Sequence, residues 1–360
     1  MWNRYNTSKY AVVQPRININ IYNTEIYNNS VFVLNLFFSI IKLVLIYIVK
    51  NMSDTSVKFN EDISVINVEQ KSQEWLDMRK KYISASSVAT ALGFNGDSKY
   101  TEYINEKRSG ISKFTGNTYT HYGELFEDIA RQIFEYYTNS KVHEIGFIVN
   151  KKYPCLGISP DGVVEYSNTQ DLELLEIKCP SARYIDGNIK NDYYHQIQMQ
   201  LAVTELDICN FLECKFELVK YDTKSFEPSC LTHNEPTGVL KLTGDIRKNG
   251  KEDWDRVNIE YGPMYCPQSL NTIQGIVNKK ISLDSDKNKS MNFDNFVTKV
   301  NDFISGSESF WVYKLVRCSL QQVSRDKSWV SCYSRLENVY GEFNEEPCSD
   351  NVEPNSLLFG

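Results

Sequence analysis

The sequence predicts an α/β fold, a mixed central sheet flanked by helices. Three observations predict it. Residues 120–138 repeat apolar side chains every three to four positions, the pattern of a helix with one buried face. Short apolar or alternating runs at 146–150, 155–159, 162–166 and 174–179 read as strands. A second helical stretch, 192–206, separates these from further strand runs at 208–214 and 216–221.

The chain has 360 residues, long enough for one large domain with insertions or for two domains. Hydrophobic residues make up 41% and charged residues 24%, a balance that excludes collagen-like, mucin-like and disulfide-framework proteins. The net charge of −7 excludes a generic basic nucleic-acid coat. It does not exclude an enzyme that meets DNA through bound cations and a local groove. Nine cysteines without a CxxC pair, and four scattered histidines, give a zinc site little support. They read as reduced, mostly buried thiols of an intracellular protein, cytoplasmic or nuclear.

The elements follow in order. Residues 72–80 read as a short helix with Ser72 as N-cap, and 84–92 as a second one ended by Gly93. Residues 94–118 are polar and loop-rich, with a helical piece at 100–108. In the 120–138 helix, Tyr122, Leu125, Phe126, Ile129, Ile133, Phe134 and Tyr137 share one arc. Glu127 sits at the edge of that arc, and Glu124, Asp128 and Glu135 on the far, solvated side. In the 174–179 strand, Leu175, Ile177 and Cys179 share one face, Glu176 and Lys178 the other. Residues 222–308 break into short pieces such as 238–243 and 256–261. Strands are expected at 310–316 and 320–323, and a closing amphipathic helix at 328–343.

Residues 1–51 differ in composition from the rest. They are rich in Asn, Ile and Tyr, and 31–49 is an apolar run broken by Asn35, Ser39 and Lys42. The run could just span a bilayer, with Lys42 as its main cost. Met52 opens a polar stretch immediately afterwards, so an upstream region read in frame is the favoured reading and a membrane anchor the rival. The expected organisation is an atypical segment at 1–52, a core at 53–221, an insertion at 222–308, a closing strand and helix at 309–345, and an acidic tail at 346–360.

Chemistry concentrates in one place. Ser159-Pro160-Asp161-Gly162 puts an acid at a turn, and one hairpin later Glu176-Ile177-Lys178 puts an acid and a lysine on one strand face. Two carboxylates brought together repel each other and invite a hard cation, Mg²⁺ or Mn²⁺ rather than zinc. The Ile177 backbone carbonyl is a third candidate ligand. A lysine beside such a cation can orient a water and offset charge on a scissile phosphate. Taken alone, a Glu-X-Lys on an exposed strand is usually a charge pair, and Pro-Asp-Gly usually only a turn.

Asp161 with Glu176-Ile177-Lys178 is the pattern of the PD-(D/E)XK restriction-endonuclease-like superfamily. Three further blocks resemble one branch of it, the YqaJ-like viral recombinases and lambda-type exonucleases. They are Glu74-Trp75-Leu-Asp-Met-Arg79 with Ser84-Ala85-Ser86, then Tyr122-Gly123-Glu-Leu-Phe-Glu127-Asp-Ile-Ala130-Arg131, then Tyr193-Tyr-His-Gln196-Ile-Gln198. The resemblance covers residues 74–214; Val323 to Trp329 is similar to the close of the same fold.

The resemblance implies a Mg²⁺-dependent exonuclease that resects double-stranded DNA from 5′ ends in recombination or viral DNA processing. It implies Asp161 and Glu176 as metal ligands, with Glu127 reaching the metal directly or through water. It implies Lys178 as the water-activating lysine, Gln196 positioning the water or the scissile phosphate, and Tyr193 in support. Arg79 and Ser86 would hold the 5′-terminal phosphate, since a guanidinium fork plus a hydroxyl suits a dianion. A ring-shaped homotrimer and a single-strand annealing partner are also implied; a membrane is not. Three rivals stay open: an endonuclease, a Cas4-like end-trimming nuclease, and a catalytically silent DNA-end or partner-binding module. The charge is awkward for any of these, because residues 53–220 hold 18 Lys and Arg against 25 Asp and Glu. Arg79-Lys80-Lys81 and Lys151-Lys152 are the basic groups expected to line a groove.

Overall fold

The computed structural model describes residues 57–111, 117–166, 171–243, 247–248, 251–252, 257–268, 270, 274–277 and 291–344. The N-terminal segment with its apolar run at 31–49, and the acidic tail, lie outside the described residues.

Strand β1 (Ile63–Ile66) precedes helix α1 (Gln73–Lys81), and the Ser72 hydroxyl accepts the Trp75 amide as N-cap. The expected second helix is broken into β2 (Ile83–Ser84), a 3₁₀ turn at Ala85–Ser87, and α2 (Val88–Ala91). Serine is the cause: Ser87 Oγ donates to the Ser84 carbonyl and lies 3.0 Å from Ser84 Oγ, bonds that compete with a regular helix. Helix α3 (Asp97–Ser109) is longer than the piece expected at 100–108. Buried Tyr103 and Ile104 hold it, and Gly110 ends it at φ 67°. Helix α4 (Thr118–Thr138) starts at Asn117, whose carbonyl oxygen Oδ1 accepts the Tyr119 and Thr120 amides, each at 3.0 Å.

Strands β3 (Ser140–His143), β4 (Phe147–Asn150), β5 (Leu156–Ile158), β6 (Gly162–Tyr166) and β7 (Leu172–Lys178) follow. Helix α5 (Asn191–Thr204) then leads to β8 (Ile208–Asp222). Beyond it come β9 (Thr237–Thr243), a small hairpin of β10 (Arg247–Lys248) and β11 (Lys251–Glu252), then β12 (Asn258–Tyr265) and β13 (Gln274–Val277). Helix α6 (Phe293–Ile304), β14 (Ser309–Ser324), a 3₁₀ turn at Lys327–Cys332 and α7 (Tyr333–Asn344) close the chain. The sequence reads β8 and β14 as two strands each, whereas each is continuous. Their antiparallel pairing shifts register between Leu315 and Arg317, opposite Phe216 and Lys215. Alternation restarts at that bulge, so each strand looks interrupted.

The main sheet runs β12-β9-β14-β8-β7-β6-β3, with β13 pairing parallel to β14. A smaller sheet runs β1-β4-β5-β2. The mixed sheet flanked by helices is thus present as the sequence predicts. β7 and β8 are parallel, and α5 is the crossover between them. As a central strand, β7 is covered on both faces. Leu175, Ile177 and Cys179 pack with Leu125, Phe126 and Ile129 of α4. Leu174 packs with Ile197 and Leu201 of α5 on the other side. Strands β9 and β12 extend this same sheet, and α6 buries Phe296 and Val300 against Val239 and Val312.

Candidate active site

Strand alternation decides what faces what. Because Leu174 faces α5, period-2 geometry turns Glu176 and Lys178 the same way. Glu176 is 1% exposed, and its carboxylate is held from both sides of the helix turn above it. Gln196 Nε2 donates to Oε1 at 2.6 Å and Gln200 Nε2 to Oε2 at 2.8 Å. Lys178 Nζ also contacts Oε1. Two glutamines one helical turn apart therefore fix one buried carboxylate. Lys178 Nζ lies 5.4 Å from the centre of the Tyr193 ring.

Asp161 stands at the start of β6, and its Oδ2 accepts the Ile177 amide at 2.6 Å. That bond ties the turn acid to the strand between Glu176 and Lys178. The next residue, Gly162, packs closely on β3: a Cβ there would lie 2.2 Å from Val142 Cγ1. Burial raises the Asp161 carboxyl well above its usual pKa, and Glu176 and Glu127 add to the rise. Burial also raises Glu127, with Lys71 and Lys178 pulling the other way. For Lys178, burial favours the neutral amine, but Glu176 and Asp161 outweigh it and the pKa moves up. The lysine is therefore held as an ammonium at neutral pH.

Asp161, Glu176, Lys178 and Glu127 open into one cleft of about 660 Å³. Trp75, Arg79, Ser84, Ser86 and Ser159 line it too, as do Glu124, Glu127, Tyr193 and Gln196. Arg79 Nη2 donates to Ser86 Oγ at 2.6 Å and Ser84 Oγ at 3.3 Å. Its guanidinium carbon lies 4.4 Å from the Trp75 ring centre, and Trp75 Nε1 donates to Ser159 Oγ at 2.7 Å. Burial lowers the Arg79 pKa, opposed only by Tyr103; no carboxylate contributes. Arg79 is a desolvated cation without a protein counter-ion among the described residues.

The structure places every sequence-predicted site residue on this cleft or, for the Ile177 carbonyl, on the strand that forms its floor. Other expectations are corrected. Glu124 is not on a solvated face: it lines the cleft, 3.7 Å from Lys71 and 3.3 Å from His121. Glu135 accepts the Val142 amide at 2.7 Å, tying α4 to β3. Neither Lys80-Lys81 nor Lys151-Lys152 is among the residues lining the cleft. Lys80 pairs with Asp77, and Lys152 with Glu205 and Asp62. The cleft's cations are instead Lys71, Arg79, Lys178, Arg183 and Lys190, five against the four carboxylates Glu124, Glu127, Asp161 and Glu176. Arg183 is also paired with Glu213, so positive and negative groups in the cleft are close to balance despite the acidic chain.

Sequence reasoning missed Lys71, Arg183 and Gln200. Lys71 reaches Glu127 at 3.9 Å from a left-handed backbone conformation, φ 69°, which no local pattern announces. Arg183 pairs with buried Glu213, a contact across the sheet that sequence distance hides. Gln200 was legible in principle, one turn after Gln196 on the same face.

Among the described residues, no three His, Cys, Asp or Glu side chains stand close enough to enclose a metal by themselves. The donor chemistry nonetheless fits a hard cation. Glu176 and Glu127 disfavour the charge of Asp161, and Glu176 that of Glu127, and a bound cation relieves that repulsion. Among the described residues, no helix is long and apolar enough to cross a membrane.

Residues 74–207 match the family model described as the YqaJ-like viral recombinase domain. A protein of Acanthamoeba polyphaga mimivirus is 28% identical over 280 residues, covering 72% of this chain and 49% of its own. A protein of African swine fever virus is 26% identical over 162 residues, covering 38% and 46%. The chain thus spans about half the length of the curated relatives it matches. Among solved structures, the alkaline exonuclease LHK-Exo of Laribacter hongkongensis is 27% identical, with 40% of this chain and 74% of that one covered at a TM-score of 0.34. A phage-related exonuclease from Haemophilus somnus is 11% identical, with 74% and 95% covered at a TM-score of 0.37.

Proposed function

We propose that this chain, with its YqaJ-like viral recombinase domain, is a divalent-metal-dependent deoxyribonuclease that trims double-stranded DNA from 5′ ends. One observation carries the reading. A buried carboxylate–lysine cluster and an arginine without a counter-ion share a single cleft. Asp161, Glu176 and the Ile177 carbonyl, with Glu127 at the rim, would hold Mg²⁺ or Mn²⁺. When bound, the cation supplies charge neutralisation at the scissile phosphate and a lowered pKa for water.

The protein's own groups do the rest. Arg79 and Ser86 bind the terminal 5′-phosphate and set the distance to the first phosphodiester. Lys178, held as an ammonium, offsets charge on the scissile phosphate. Gln196 and Gln200 fix the Glu176 carboxylate, and Gln196 lines the cleft where water would stand. Water adds to phosphorus in line with the departing 3′-oxygen. The P–O3′ bond breaks, a nucleotide leaves with a 3′-hydroxyl, and the shortened strand keeps a new 5′-phosphate. That end is again a ligand for Arg79, so the same contact serves each cycle.

The test is digestion of linear duplex DNA with 5′-phosphate or 5′-hydroxyl ends, in Mg²⁺ and in EDTA. Mononucleotides released only in Mg²⁺, and faster from phosphorylated ends, are expected. Cleavage of closed circular DNA at a similar rate would instead favour an endonuclease.

A further inference from the structure

Beside the cleft lies an aromatic–basic platform to which hydrolysis assigns no role. The loop after β7 lines the cleft with Pro180 through Arg183. The next residue, Tyr184, is 63% exposed, a large aromatic left in water directly beyond the cleft wall. The Arg317 guanidinium, from the bulge in β14, lies 4.3 Å from its ring centre. Arg317 also donates Nε–H to the Ile185 carbonyl, so the cation is held to the loop that carries the ring. One face of Tyr184 is therefore backed by a fixed guanidinium, while the residue as a whole stays largely in water.

The surroundings are cationic. Lys215 on β8 and Gln274 on β13 are the cross-strand partners of Arg317, and Lys190 and Arg183, the latter paired with buried Glu213, lie on the adjoining cleft wall. The acid nearest in sequence, Asp186, is turned into its own loop. Its Oδ1 accepts the Asn188 amide at 2.9 Å, and its Oδ2 accepts Asn188 Nδ2 at 3.1 Å. A flat ring braced from behind, flanked by Lys and Arg, is the arrangement that stacks unpaired bases while cations track the phosphates.

We propose that Tyr184, backed by Arg317, is a stacking site for the 3′-ended single strand that resection leaves behind. This rests on the 5′-end exonuclease reading. Each nucleotide removed from the 5′-ended strand unpairs one base of its complement. That base is freed at the mouth of the cleft, beside Tyr184. Stacking it there holds the complement away from the strand being cut.

The test uses the full chain in EDTA, so that binding is read without cleavage, and labelled duplexes that are blunt, 3′-overhanging or 5′-overhanging. Tyr184→Ala should weaken binding of the 3′-overhang duplex about tenfold, the scale of one lost base–aromatic stack. Blunt and 5′-overhang duplexes should bind within about twofold of wild type, as expected of a surface change that touches neither. Tyr184→Phe keeps the ring and should restore binding, and Arg317→Gln should fall between. Unchanged binding of the 3′-overhang duplex by Tyr184→Ala overturns the proposal, as does equal weakening on all three duplexes or a loss confined to the 5′ overhang. If wild type digests 5′ ends in Mg²⁺ but the overhang binds independently of Tyr184, the platform falls and the nuclease stands. If Tyr184-dependent binding is present without digestion, the reverse holds.

Discussion

Replacing Arg79 separates end recognition from bond breaking. The side chain spends Nη2 on Ser86 and Ser84, stacks on Trp75, and meets no carboxylate. A phosphate dianion would find a desolvated guanidinium with a hydroxyl beside it. A charge-assisted contact of this kind contributes about 2–3 kcal/mol, or roughly 30- to 150-fold in affinity. Arg79→Ala should therefore lower the apparent affinity for 5′-phosphorylated ends by that factor and leave 5′-hydroxyl ends nearly unchanged, so the two rates converge. The fold should tolerate the change. Ser84 keeps its 3.0 Å contact with Ser87, and losing the Trp75 stack costs about 0.5–1 kcal/mol. The removed cation was half-buried without a counter-ion among the described residues, which offsets part of that loss. Arg79→Lys keeps the charge without the fork and should recover only part of the preference. The assay is single-turnover digestion of matched duplexes with either end, at several enzyme concentrations. A wild-type ratio of phosphate to hydroxyl rates in Arg79→Ala would refute the pocket.

Lys178→Ala should slow both substrates by at least ~10²-fold in turnover and also lower the melting temperature, because it leaves the buried Glu176 carboxylate without its cation; a loss of turnover below about threefold would return Lys178 to an ordinary charge partner of Glu176. Asp161→Asn should abolish turnover yet raise thermal stability at neutral pH. The folded carboxyl has a raised pKa, so its ionised form is a cost above the unfolded pKa, and Asn can still accept the Ile177 amide. A lower melting temperature would contradict this. Gln200→Leu should destabilise by about 1.5–3 kcal/mol, because a fully buried carboxylate oxygen loses its donor; denaturant titration would show it. His195 offers a pH test away from the cleft. Trp329 Nε1 can only donate, so Nδ1, at 2.9 Å, must accept, and burial lowers the imidazole pKa. The unfolded chain then binds the extra proton first, and stability should fall as pH drops below about 6.5. His195→Asn should flatten that part of the melting-temperature profile, and an unchanged slope would count against the assignment.

Local rules decided much of this protein. Ser72 as N-cap, the apolar arc of α4 and the alternation of β7 follow from side-chain chemistry a few residues apart, which is why they are legible without coordinates. The same locality makes Asp161, Glu176 and Lys178 readable as one group, since a single hairpin joins them. Tertiary structure decided the rest. The sequence shows Glu176 and Lys178 on one face but not that α5 crosses above it and clamps Glu176 with two glutamines. It shows Arg79 but not that, among the described residues, no carboxylate pairs with it, the observation on which the proposed phosphate pocket rests. The basic runs at 80–81 and 151–152 mislead because charge patterns record composition, whereas ion pairing with Asp77, Glu205 and Asp62 depends on where the chain returns. The unbroken β8 and β14 were hidden by one bulge, because period-2 reading assumes a regular ladder. Tyr184 and Arg317 are 133 positions apart, and only the packing of the β7–α5 loop against β14 lays one on the other.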